Sequence, residues 1–282
     1  MGFLRRKNKP ENNSSPAAET DSQINAIKSP DENMGQVVFK EHYPILEPYS
    51  RVAIAEDSEG KIRYLLLEPT LTPEDESLME EIKGVLWDEL QVNVKDIKSK
   101  ADAERFLKEM VEYIISKYGL TIDKYALEKY QYYISRDFLN FGKIDGLMRD
   151  QMIEDISCDG AGYPLYVWHR KYESIPTNVL FKDAEELDSF ILRLAYLCGR
   201  HISIAQPLLD GTLPDGSRAQ LTFGSEVTPR GSTFTIRKFR ENPLTITDLI
   251  INKTLSAEMA AYFWFLIENR HSIMIGGGYR RG

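Results

Sequence analysis

Four arginines, Arg218, Arg230, Arg237 and Arg240, fall within the 24 residues "SRAQLTFGSEVTPRGSTFTIRKFR", on or beside segments that read as strands. A guanidinium group stays charged and donates paired hydrogen bonds, which suits the oxygens of a phosphate. The competing reading is a solvated strand face with surface ion pairs, and composition by itself favours it. A second feature is the apolar run Ile273-Met274-Ile275 leading into Gly276-Gly277-Gly278. A strand entering a glycine loop is the approach to a phosphate cradle, in which backbone N–H groups hold the phosphates and a lysine neutralises them. Gly277 and Gly282 have the spacing of the two glycines in G-x-x-x-x-G-K-[ST], and neither the lysine nor the magnesium-binding hydroxyl follows in this sequence. Taken alone, that spacing also fits a plain glycine tail.

Other chemistries find less support. His42, His169, His201 and His271 are scattered, and no HExxH, Cys/His cluster or G-x-S-x-G is present. No metal site and no catalytic residue is therefore expected. Glu154, Asp155 and Asp159 are near one another, but a turn and strand-edge role suits them better than an acid/base pair. Cys158 and Cys198 form no CxxC pair and read as reduced thiols.

These residues need elements to position them. Residues 1–35 are polar, with clusters such as "PENNSSPAAETDS", and read as a disordered tail. Within 36–73, "SRVAIAED" and "KIRYLLLE" flank the turn "SEG" and predict a β-hairpin. Residues 74–150 read as a helical bundle, with Leu78, Ile82, Val85, Leu86 and Leu90 at helical spacing, then Phe106, Leu107, Met110, Val111, Ile114 and Ile115. Gly119 sits where a capping glycine belongs. Tyr125, Tyr130, Tyr132 and Tyr133 read as core and interface fillers. Residues 151–241 alternate short strands with one amphipathic helix carrying Leu187, Phe190, Ile191, Leu194 and Leu197, and predict an α/β layer domain. Residues 242–282 read as a linker, a helix capped by Ser256, and the strand "HSIMI".

With 282 residues, a formal charge of −8 and no apolar run near the roughly 20 residues of a membrane span, the chain is read as globular rather than nucleic-acid binding. The start "MGFLRRKNKP" has no apolar core of a signal peptide after its basic residues, and its Arg5, Arg6, Lys7 and Lys9 could at most touch a membrane surface.

The blocks "MIEDISCDGAGYPLYVWHR", "SIPTNV", "GRHISIAQPLLDGTLPDGSRAQLTFG" and "GSTFTIRKFRENPLTITDLI" occur in an order and at separations similar to the archaeal branch of the type II/type IV secretion-system ATPases. The resemblance covers roughly residues 40–278. It implies an α+β fold in which a hairpin, a helical bundle and an α/β sandwich precede a RecA-like motor domain, here represented by its first helix and strand and truncated within the Walker A motif. Gly277 and Gly278 match that motif; Tyr279, Arg280 and Arg281 depart from it. The family's hexameric motors use ATP and Mg, work at the inner face of the cell membrane against a platform protein, and serve secretion, type IV pili or archaella. The resemblance implies that this region packs on a neighbouring subunit and turns arginines toward its nucleotide. Arg218 and Arg237 match that role best, Arg230 and Arg240 less well. Tight binding of ATP and turnover by this chain alone are not expected. The alternative implied role is an interaction module that docks the motor on its platform protein, with no nucleotide function.

Overall fold

The computed structural model describes residues 38–93, 99–119, 122–239 and 245–276. The fold is mixed α+β, built on a large, mostly antiparallel sheet with several helices. The chain divides into two compact units, Met1–Phe239 and Arg240–Gly282.

The predicted hairpin is present as β2 (Ser50–Glu56) and β3 (Ile62–Leu67), paired antiparallel. Their near-continuous apolar runs follow from burial on both faces. Val52, Ile54, Tyr64 and Leu66 enter the main core, whereas Ala53 and Leu67 pack with Phe39 and Leu65 on the opposite face. A strand that the sequence reading missed, β1 (Val38–Leu46), pairs with β2 at the sheet edge. Its register shifts between Pro44 and Leu46, and proline, which has no N–H to give a ladder, is tolerated on an edge strand.

β4 (Ile153–Cys158), β5 (Pro164–His169), β6 (Glu173–Leu180), β7 (Leu208–Thr212), β8 (Arg218–Thr222) and β9 (Thr233–Arg237) complete nine strands in the order β1-β2-β3-β6-β5-β4-β9-β8-β7. Every neighbouring pair is antiparallel except β3 and β6, which meet at Tyr64 and Thr177. The Asn178 side chain extends that short parallel join. Its Oδ1 accepts from Leu66 N–H at 2.8 Å and its Nδ2 donates to Leu66 C=O at 2.9 Å.

Three longer helices, α1 (Pro73–Asn93), α2 (Lys100–Lys117) and α3 (Lys124–Leu139), bury Ile82, Leu86, Leu107, Val111, Ile114 and Ile134 against one another. Ser99 and Asp123 cap α2 and α3 by accepting from Asp102 and Ala126 N–H. Tyr130, Tyr132 and Tyr133 are buried. Tyr130 donates to Asp75 at 2.6 Å beside the Lys129–Asp75 ion pair at 3.0 Å. A 3-10 turn and the short α4 (Asp145–Arg149) lead into β4. The amphipathic helix α5 (Ala184–Leu197) presents Leu187, Phe190, Ile191, Leu194 and Ala195 to one face of the sheet. Phe190 lies 5.5 Å from Phe234 and 4.9 Å from Phe181. Gly199 ends α5 at φ +67°, a conformation that favours glycine.

In the second unit the stretch read as a linker contains a helix, α6 (Ile246–Ile251), started by a reciprocal cap between Thr245 and Asp248. α7 (Ala257–Glu268) begins at Ser256, which accepts from Met259 N–H. The expected strand at "HSIMI" is a correction. Residues 271–276 form no strand, because a ladder needs a partner and none of the described residues pairs with them.

Candidate functional site

The sheet from β6 to β7 has one face on the α5 core, and the opposite face lines an open groove of about 380 Å³. Strand alternation decides which residues line it. On β8, Ala219 and Leu221 are buried, so Arg218 and Gln220 point the other way; on β9, Phe234 and Ile236 are buried, so Thr235 and Arg237 do. The register then does what neither strand could alone. Arg218 stands directly opposite Arg237, and Gln220 opposite Thr235. Like charges facing each other across strands are destabilising.

Two carboxylates offset the repulsion. Asp155 on β4 is the register partner of Arg237 and lies 3.1 Å from its Nε. Asp210 on β7 lies 3.8 Å from Arg218 Nη2, beyond hydrogen-bond distance. The arginine side chains remain open, 72% exposed for Arg218 and 77% for Arg237. Beyond Asp155 the groove continues over Trp168, its opposite number on β5, with Ser157, Tyr166 and Ser174 completing the wall.

The sequence-selected residues separate accordingly. Arg218 and Arg237 are brought together. Arg230 is elsewhere, stacked 4.8 Å from the Tyr163 ring centroid and absent from the groove lining. Arg240, Gly277 and Gly278 lie outside the described residues. Asp155, Asp210 and Trp168 were not selected as site residues. By sequence Asp155 fits a turn and strand-edge role; its place beside an arginine 82 positions away is set by sheet order.

A second polar cluster joins β1 and β3 to the rest of the core. Tyr43 and Tyr64 donate to Asp150 Oδ2 at 2.8 and 2.7 Å, and Met152 N–H donates to Oδ1 at 2.8 Å. Burial and the Asp150 carboxylate hold both phenols far above their ordinary range. His169 accepts from Lys171 N–H through Nδ1 at 3.2 Å, which leaves the proton on Nε2 facing Tyr43. Burial pushes this imidazole down. Lys238 Nζ donates to the carbonyls of Leu147 and Asp150, and burial lowers it to about 8. Tyr64, Asp150 and His169 are buried and Tyr43 and Lys238 half-buried, and the cluster is internally bonded, so it fastens the layers. Among the described residues no group of three His, Cys, Asp or Glu side chains is placed to hold a metal, and no helix is long and apolar enough to cross a membrane.

No family model matches the sequence. The chain is 38% identical over 210 residues to the uncharacterized protein MJ1288 of Methanocaldococcus jannaschii, covering 74% of this chain and 82% of that protein. The chain belongs to the MJ1288 family. The uncharacterized protein MJ0900 of the same organism is 32% identical over 256 residues, which is 83% of this chain and 46% of the relative. MJ0781, also uncharacterized, is 39% identical over 127 residues, 45% of this chain and 17% of its own length. The chain thus spans most of MJ1288 but less than half of MJ0900 and MJ0781. Among solved structures, the VirB11 ATPase of the Brucella suis type IV secretion system, crystallised with sulphate, gives a TM-score of 0.33 at 20% identity, covering 45% of this chain and 42% of that one.

Proposed function

We propose that this MJ1288-family chain is the N-terminal region of a hexameric secretion or type IV pilus motor ATPase, and that its groove lends Arg218 and Arg237 to the nucleotide phosphates of an adjoining subunit. The observation that carries the reading is the opposed arginine pair on an open sheet face. A fold gains nothing from facing two guanidinium groups at one register position, whereas a phosphate between them bonds to both. The sequence blocks that resemble secretion ATPases include both arginines, and MJ0900 has length beyond the matched region that could hold a motor domain.

In this reading the chain orients and neutralises the phosphates and does not attack them. The guanidinium donors stabilise the charge that spreads over the phosphoryl oxygens during transfer. Arg230, Arg240, Gly277 and Gly278 remain secondary candidates for nucleotide contact.

Titration of ATP into the chain tests this. Affinity is expected to be weak, and Arg218→Gln or Arg237→Gln should lower it by about 3- to 10-fold, as expected for losing one charge-assisted contact at an exposed site. Unchanged affinity in both variants would reject the site.

A second reading, docking on a membrane platform protein, draws on the exposed aromatics of the helical layer: Trp87 on α1, Tyr113 on α2 and Tyr118 at its end. Large exposed aromatics are frequent anchors of interfaces. Capture of a platform protein's cytoplasmic loops by the wild type, lost in Trp87→Ser with the Arg218→Gln variant unaffected, would favour this role.

A further inference from the structure

The groove arginines are not free while they wait. Arg237 Nε lies 3.1 Å from Asp155 Oδ1, and Arg218 Nη2 lies 3.8 Å from Asp210 Oδ2. Both aspartates line the same groove and flank the arginine pair. We propose that Asp155 and Asp210 are exchange partners: they hold the two guanidinium groups in place and are displaced when phosphate oxygens arrive, so that they set the affinity and the order of capture. This rests on the arginine reading above and deepens it.

A carboxylate and a phosphate present the same kind of acceptor oxygens to a guanidinium group. Pairing at this exposure is weak enough to exchange, because exposed ion pairs contribute little. The pairing still limits side-chain wandering and offsets the repulsion of the opposed arginines. The distances also rank the two sites. Arg218 is the more loosely held and should turn to the phosphate first; Arg237, bonded to its own register partner, should follow. Release of Arg237 changes the surroundings of Trp168, which faces Asp155 across β4 and β5. Exchange therefore carries its own optical signal.

The test uses the full chain with inorganic tripolyphosphate and, separately, ATP. Asp155→Asn and Asp210→Asn should each tighten tripolyphosphate binding by about 1.5- to 5-fold, the range expected for releasing an exposed pair. The larger gain should come from Asp155→Asn. Glu154→Gln is the control for net charge, since Glu154 pairs with Arg170 and does not line the groove. Its gain should be smaller than that of Asp155→Asn. In the double variant Asp155→Asn with Arg237→Gln, the gain from Asp155→Asn should vanish. With Trp87 and Trp264 both changed to Phe, the remaining Trp168 emission should change on titration in parallel with binding.

The outcomes separate the two claims. If the arginine variants weaken binding but the asparagine variants do not tighten it, or Glu154→Gln tightens it equally, the exchange is refuted and the arginine site stands. If the gain from Asp155→Asn survives the loss of Arg237, the exchange is likewise refuted. If neither the wild type nor any variant binds tripolyphosphate or ATP, both claims fall.

Discussion

Replacing Tyr64 with Phe removes one oxygen from a fully buried side chain and leaves the ring packing intact. The lost contact is the 2.7 Å hydrogen bond to Asp150 Oδ2. Bonds to charged acceptors contribute about 1.5–3 kcal/mol, and no solvent replaces this one, so Tyr64→Phe should cost an amount within that range. Tyr43 is partly buried and donates to the same oxygen at 2.8 Å. Water can reach its place, so Tyr43→Phe should cost about 1 kcal/mol. The double variant strips Oδ2 of both tyrosines and leaves a charge poorly satisfied, so its cost should exceed the sum of the singles. Urea unfolding followed by circular dichroism measures all three, with the slope recorded as well as the midpoint. The reasoning assumes that the β1–β3 layer unfolds with the rest of its unit. A cost below about 0.5 kcal/mol for Tyr64→Phe would refute the energetic assignment. A reduced slope in the variants would show that the β1–β3 layer unfolds separately.

Acid and alkali should act through different groups. Burial depresses the His169 imidazole, so the unfolded chain takes up the proton first; the stability held above about pH 6.5 should fall as pH drops through that value, and His169→Gln should blunt the fall in thermal melts. Lys238 is lowered to about 8 by burial, so the unfolded chain binds more protons between there and its ordinary value of about 10.4, and stability should rise with pH across that window. The buried tyrosines, raised far above about 10, work in the opposite sense beyond that pH, placing the maximum of a melting-temperature profile between about 8 and 10; Lys238→Met should remove the rise. Gly146 is closely packed: a Cβ there would sit 2.6 Å from Leu66 Cδ1, so Gly146→Ala should cost about 1–3 kcal/mol, read by the same urea titration.

Local pattern carried much of the fold into view. The alternation of Ala219, Leu221, Phe234 and Ile236 with polar residues marked β8 and β9, and Leu187, Phe190, Ile191 and Leu194 marked α5. Caps at Ser256 and Gly119 were also readable, since each depends on residues within one turn. The parallel join of β3 to β6 was not, because it links residues more than a hundred positions apart through one backbone pair and the Asn178 amide. β1 was hidden by Pro44 and its mixed polarity. α6 was hidden by β-branched residues in a six-residue helix that relies on its Thr245–Asp248 cap. At the site, residue type picked out Arg218 and Arg237, but only sheet order shows that they face each other between Asp155 and Asp210. The same geometry separates Arg230, whose guanidinium lies over Tyr163.

The most direct test follows the arginine side chains themselves. Nitrogen-15 NMR of the Nε–Hε groups during an ATP titration should show Arg218 and Arg237 shifting together along one binding curve, with Arg230 unmoved beside Tyr163. Shifts confined to other arginines, or none at Arg218 and Arg237 at saturating ATP, would contradict the proposal that this pair receives the phosphates.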